Sequence, residues 1–305
     1  MKDVGTLCKT VHMKLSHFYK AERRGRRREF DIRGVKYGVT EWGNSSAPLF
    51  VYLHGWADTG ATFQFVVDAL NTDWHIVAPD WRGFGRSTVE STSYWFPDYL
   101  ADLHELLAIY SPDQPARIVG HSMGANIAGL YAGAMPERVR ALVNIEGFGL
   151  VDSDPADAPM RYRQWIEAAQ SVPAFTRYPD FQVLARRIAK RNPLMSAAQA
   201  EFVARQWSTE REDGQVELRA DPRHKLPNPV LYRRTEAEAC WKAIEADVLL
   251  VTGGASDLAS RFGRITGASC PGEQTVVIDG AGHMLHFEAP AELATVIEEF
   301  LSKYL

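Results

Sequence analysis

Six short apolar runs, at residues 49–53, 75–78, 116–119, 141–145, 248–252 and 274–278, lack the polar/apolar alternation of a half-wet strand. Strands buried on both faces of a parallel sheet read this way. Helical spacing fills most of the intervals. Leu100, Leu103, Leu107 and Tyr110 follow the second run, and small residues around Leu130 follow the third. The chain closes on Leu293, Val296, Ile297, Phe300 and Leu301, with Pro290 near the start of that pattern. Parallel strands need crossover connections, so the alternation predicts an α/β fold whose mostly parallel central sheet is flanked by helices. Residues 30–39 instead alternate in side-chain character about the turn pair Arg33-Gly34, which predicts an opening antiparallel hairpin.

The pattern lapses between about 151 and 240. There Trp165, Ile166, Phe181, Leu184, Ile188, Phe202, Val203 and Trp207 fall at helical rather than strand spacing. The expected organisation is a basic N-terminal arm at 1–28, a core at 29–150 and 241–305, and an inserted helical cap at 151–240. With 305 residues, 46% of them hydrophobic, the chain is long enough for a large α/β domain carrying such an insertion. Its apolar runs fall far short of the roughly 18 residues of a membrane span.

The formal charge of -4 is unevenly spread, because residues 1–28 hold nine Lys/Arg against Asp3 and Glu22. Arg23, Arg24, Arg26, Arg27 and Arg28 form a cluster that would attract a polyanion. No aromatic RNA-binding platform accompanies them, so a solvated arm is expected rather than a nucleic-acid partner. The arm has no apolar run like that of a secretory signal. Cys8, Cys240 and Cys270 are odd in number and widely spaced, which predicts neither a disulfide framework nor a zinc site. A cytoplasmic location is expected.

Chemistry concentrates at the ends of the apolar runs. Gly120-His121-Ser122-Met123-Gly124 lies between the run 116–119 and a small-residue helix, a G-x-S-x-G placement that lifts a nucleophile above a sheet at a sharp turn. His54-Gly55-Trp56 follows the run 49–53, so the backbone N–H groups of Trp56 and Met123 are candidates for an oxyanion hole. Asp257 comes just past the run 248–252, and His283 just past 274–278. The order Ser122, Asp257, His283 suits nucleophile, acid and base.

With these motifs the sequence resembles the α/β-hydrolase superfamily. Asp80, Arg82, Gly83, Gly85 and Ser87 also match its D-x-R-G-x-G-x-S stretch, which the resemblance places in a loop at the active-site edge. The likeness covers about 29–150 and 240–305, with the insertion where capped members carry their cap. It implies a cofactor-free serine hydrolase that forms an acyl-enzyme on Ser122 from an apolar small molecule bearing an ester or ketone carbonyl. No metal is expected, since the histidines lack H-E-x-x-H spacing. Related dehalogenases and epoxide hydrolases carry an aspartate at the position of Ser122, which disfavours those chemistries. Some dehalogenase relatives place the acid where Glu146 stands, so Glu146 is an alternative to Asp257, or else a polar group at the cap hinge. His286 competes with His283 as base, but 280–283 matches the family motif. Hydrolysis of a carbon-carbon bond in a diketone, of a thioester or of a lactone stays open, as does a non-catalytic, ligand-binding member of the fold.

Overall fold

Arg33 and Gly34 both adopt positive φ (50° and 78°), the turn geometry whose twist matches paired strands. They close the hairpin of β1 (Arg26–Ile32) and β2 (Val35–Trp42). The computed structural model describes residues 18–88, 91–171, 173–262 and 272–305. The chain continues through β3 (Leu49–Leu53), α1 (Gln64–Ala69), β4 (His75–Pro79), α2 (Phe96–Tyr110), β5 (Ala116–His121), α3 (Met123–Ala134) and β6 (Val139–Ile145). An inserted region follows, with α4 (Ala158–Gln170), α5 (Phe181–Arg191), α6 (Ala197–Trp207), a hairpin of β7 (Ser208–Glu210) and β8 (Val216–Leu218), and α7 (Arg234–Lys242). The core resumes with β9 (Asp247–Gly253), α8 (Leu258–Phe262), β10 (Gln274–Ile278), α9 (Leu285–Glu288) and α10 (Pro290–Leu301).

The eight-stranded sheet runs β1-β2-β4-β3-β5-β6-β9-β10. Only the β1/β2 and β2/β4 pairs are antiparallel. The other pairs are parallel, so β3, β5, β6, β9 and β10 deliver their carboxyl ends to one edge. Apolar clusters cover both faces. Val51, Ile118 and Leu142 pack against α2 and α3 residues such as Leu103 and Ile127, while Tyr52, Val119 and Val143 face Leu293 and Ile297 of α10. This is the predicted α/β architecture with an inserted helical region.

Four details depart from the sequence reading. β10 is an edge strand and leaves Val277 55% exposed, so its apolar run is not buried on both faces. The insertion is not wholly helical, because Asp213-Gly214 turns β7 into β8, and Gly214 takes φ 78°. Helix α4 has no buried residue, and Ile166, expected among the insertion's packed positions, is 53% exposed. The basic segment does not all stand free. Arg26, Arg27 and Arg28 belong to β1, while Arg23 Nη2 donates to Leu70 O (2.9 Å) at the end of α1. There a cation meets the unpaired carbonyls and negative dipole end. Residues 1–17, with Cys8, lie outside the described residues, as does Cys270.

The D-x-R-G-x-G-x-S stretch is a structural knot beside β4. Asp80 accepts the amides of Gly60 and Arg86 (both 2.8 Å), and Ser87 Oγ donates to the Asp80 carbonyl. Asp102, whose side chain has no solvent contact, receives Arg82 through two bonds of 2.6 and 2.7 Å and the Tyr37 hydroxyl at 2.5 Å. Deleting one partner of such a pair leaves a buried charge uncompensated. Arg82 keeps Asp98 at 3.3 Å, so Asp102→Ala should lower unfolding stability in urea titrations by less than the roughly 3–5 kcal/mol of a fully orphaned charge.

Candidate active site

The turn after β5 forces Ser122 into a strained backbone (φ 52°, ψ -114°). Its amide donates to Ile145 O at 2.8 Å, tying the bend to the end of β6. The glycines on either side are needed by space. A Cβ on Gly124 would come 2.2 Å from Leu53 O, and one on Gly120 would come 2.6 Å from Ala125 Cα. The crowding presses α3 against the sheet, with Ser122 at its N-terminus. Met123 is the first helical residue, so its N–H lies outside the helix's own ladder. Gly55 packs against the same bend, 3.2 Å from Ser122 Cβ at its would-be Cβ position, and brings the Trp56 turn beside it.

Ser122 Oγ lies 3.1 Å from His283 Nε2. The other ring nitrogen, Nδ1, lies 3.2 Å from Glu146 Oε2. Glu146 follows β6 in the left-handed region (φ 57°), and its carboxylate is sealed from solvent. Gly253 N–H donates to Oε1 at 2.8 Å, and Ser256 Oγ donates to Oε2 at 2.5 Å. The expectation that Asp257 would orient the histidine does not match this geometry. Its carboxylate is 73% exposed and pairs with Arg261 at 3.8 Å, and among the described residues no hydrogen bond joins it to His283. The loop after β9 instead presents Ser256 to Glu146. Sequence reading missed Ser256, since a serine beside an acid in a loop carries no spacing signal. His286, the competitor for the base role, is fully buried and meets Asp58 Oδ2 at 3.1 Å.

A cleft of about 390 Å³ opens beside the elbow, lined among others by Trp56, Tyr99, Met123, Trp165 and Leu226. Trp165 and Leu226 come from the insertion, so the inserted region and the core share this space. The two are also fastened together. Asp221 N donates to Gly83 O and Gly85 N to Arg219 O, both at 2.7 Å. His224 is stacked between Phe84 and Tyr94, with ring centroids 3.8 and 3.6 Å away.

Three histidines around this site stay neutral. Burial pushes His54 down to about 4, and its Nε2 must remain bare because Trp81 N–H donates to it at 2.8 Å. Burial also lowers His224 to about 4 and holds His121 well below the ordinary imidazole range. Asp80 moves the other way, raised by burial to about 7.

A scan against family profiles matches residues 48–290 to one described as the alpha/beta hydrolase fold. In sequence, the chain is 28% identical over 307 residues to a "Serine hydrolase-like protein" of Danio rerio, covering 95% of this chain and 93% of that protein. It is also 28% identical over 286 residues to a "3-hydroxybutyrate-oligomer hydrolase" of Cupriavidus necator, covering 85% and 91% of the two chains. Among solved structures it resembles a thioesterase domain from the curacin biosynthetic pathway, with a TM-score of 0.79 and 25% identity over 90% of this chain and 99% of that one.

The protonation pattern fixes how stability should depend on pH. Between pH 4 and 6.5 the unfolded chain protonates His54, His121 and His224 while the native chain does not, so stability rises with pH across that window. Asp80 opposes this, because the folded form binds a proton that the unfolded form has released. His75, also lowered by burial, joins the three, and Glu273, raised by burial, joins Asp80, so the histidines outweigh the carboxyls. The urea midpoint should increase from pH 4 to 6.5, and His224→Phe, which keeps a ring in the stack, should flatten the rise.

Proposed function

The chain belongs to the α/β-hydrolase fold family, and from that premise we propose a serine hydrolase that cleaves a carboxylic ester or a related carbonyl compound through an acyl-enzyme on Ser122. The observation that carries the reading is the unbroken contact series Ser122 Oγ, His283 Nε2, His283 Nδ1, Glu146 Oε2. In this reading His283 takes the hydroxyl proton as Oγ attacks the carbonyl carbon. Glu146 holds the imidazole in orientation and stabilises its cation. His283 then protonates the leaving group and activates water to release the acyl product. The N–H groups of Trp56 and Met123 are the proposed donors to the tetrahedral oxyanion.

Glu146 takes the acid role here in place of Asp257. A carboxylate in that role needs a fixed position and little competition from water. Glu146 has both, through Gly253, Ser256 and its burial, whereas Asp257, 73% exposed and paired with Arg261, has neither. The aromatic and aliphatic part of the cleft wall, Trp56, Met123, Trp165 and Leu226, suits an uncharged acyl or alcohol group, with Arg223 and Asn228 as polar neighbours. Likeness to a thioesterase domain and to a 3-hydroxybutyrate-oligomer hydrolase supports carbonyl substrates of the ester and thioester kind.

The test is a substrate panel of esters, thioesters, lactones and diketones, together with fluorophosphonate labelling. Ser122→Ala should lower kcat by about four to six orders of magnitude and abolish labelling. Turnover by a pure Ser122→Ala preparation near the wild-type rate would end this reading. Glu146→Gln should cost on the order of 10⁴-fold by leaving the imidazole in the wrong tautomer. Asp257→Asn should change kcat by less than about twofold, as surface substitutions usually do. A ranking with Asp257→Asn the more damaging would return the acid role to the loop after β9.

A further inference from the structure

Behind Ser122 and His283 lies a group of polar side chains that the hydrolytic steps do not use. Asp58, in the turn after β3, His121, at the end of β5, and His286, in α9, are all buried. One donor atom from each lies within 4.8 Å of the others. Asp58 Oδ1 is fully engaged, accepting from Thr59 N–H (2.8 Å), Thr62 Oγ1 (2.7 Å) and Trp207 Nε1 (2.6 Å). Oδ2 is left to His286 Nε2 at 3.1 Å. His121 Nε2 meets the backbone carbonyl of His283 at 2.9 Å. A carbonyl only accepts, so that nitrogen carries the proton and Nδ1 keeps a lone pair. Nδ1 of His121 and Nδ1 of His286 are both buried without a hydrogen-bond partner among the described residues.

A buried polar atom without a partner is costly, and the bare Nδ1 of His121 calls for an explanation, whereas His286 would ligate through Nε2, the nitrogen beside Asp58 Oδ2. The carboxylate is pre-oriented by three donors, and His121 donates its other ring proton to a backbone carbonyl. These are the outer contacts that orient ligands in metal centres. Two imidazoles and a carboxylate suit a borderline divalent ion better than magnesium or calcium, which prefer oxygen-rich sites.

We propose that Asp58, His121 and His286 form a binding site for a divalent transition-metal ion of the zinc class, and that occupancy slows hydrolysis. The rings of His121 and His283 are 4.8 Å apart between centroids. His121 Nε2–H also holds the His283 carbonyl at 2.9 Å, so an ion that draws on His121 acts on the position of the catalytic ring. The site itself is independent of the hydrolase reading, and only its effect on turnover rests on that reading.

The experiment is calorimetric titration of the full chain with Zn²⁺, repeated on His286→Gln and His283→Ala, with Co²⁺ as a spectroscopic probe. The wild type should take up one ion per chain. His286→Gln should weaken binding by about tenfold or more, and His283→Ala should bind as the wild type does. Bound Co²⁺ should show the intense visible bands of a low-coordinate nitrogen and oxygen site. Generic-ester turnover should fall in step with Zn²⁺ occupancy. Absence of stoichiometric uptake by the wild type overturns the site. So does uptake that survives His286→Gln but disappears in His283→Ala, since the ion would then sit on the reacting groups. Should His286→Gln fail to fold, the wild-type Co²⁺ spectrum decides, and lack of intense bands overturns the site. Unchanged turnover at full occupancy overturns the inhibitory link. If the wild type cleaves nothing in the panel, the hydrolase reading falls and metal uptake still judges the site.

Discussion

The carboxylate of Glu146 is the point on which three strand ends converge. It follows β6, takes the Gly253 N–H from the end of β9, and meets His283 in the loop after β10. An unpaired carboxylate at this depth would be expensive, so the surrounding donors are a condition of its being there. Gly253, Ser256 and His283 supply them. The left-handed backbone of Glu146 and the strained elbow at Ser122 are coupled, since Ser122 N–H is held by the carbonyl of Ile145, the residue before Glu146. Strain at such positions persists only where neighbouring contacts over-determine it. Here the sheet does so, with β5 and β9 pairing on either side of β6.

The insertion meets the core both by backbone bonds and by an apolar face, where Leu184, Val203 and Ala204 of α5 and α6 cluster with Phe65 and Phe287. Its segment at 219–221 pairs with Gly83 and Gly85, and His224 fills the space between Phe84 and Tyr94. Trp207 reaches from the end of α6 to Asp58. These contacts tie the inserted region to the loops after β4 and β3, so it and the sheet's carboxyl edge are held in register. In contrast, α4 buries no residue, although Trp165 within it lines the cleft.

Much of the sheet was legible because a strand buried on both faces leaves an unbroken apolar run, and five of the six predicted runs lie in well-covered strands. The sixth, β10, has the same composition but lies at an edge, and no local signal tells an edge from a centre. The β7/β8 hairpin was hidden for a different reason, since strands of three residues are too short to show a period. At the site, Ser122 and His283 were readable from strand-end motifs. The choice between Glu146 and Asp257 was not, because both follow apolar strands and differ only in which way the loop turns its carboxylate.

The sequence by itself determined the α/β alternation, the insertion, and the strained turn at Ser122, since each is written in residues close together along the chain. Periodicity and glycine placement are local properties, and local sterics enforce them. The tertiary structure alone decided which carboxylate meets His283, that Ser256 steadies it, and that Asp58, His121 and His286 share one buried space. Those contacts join residues 107 to 228 positions apart. Their geometry follows from strand order and from which side chains lose water, and neither is encoded in any single stretch of the chain.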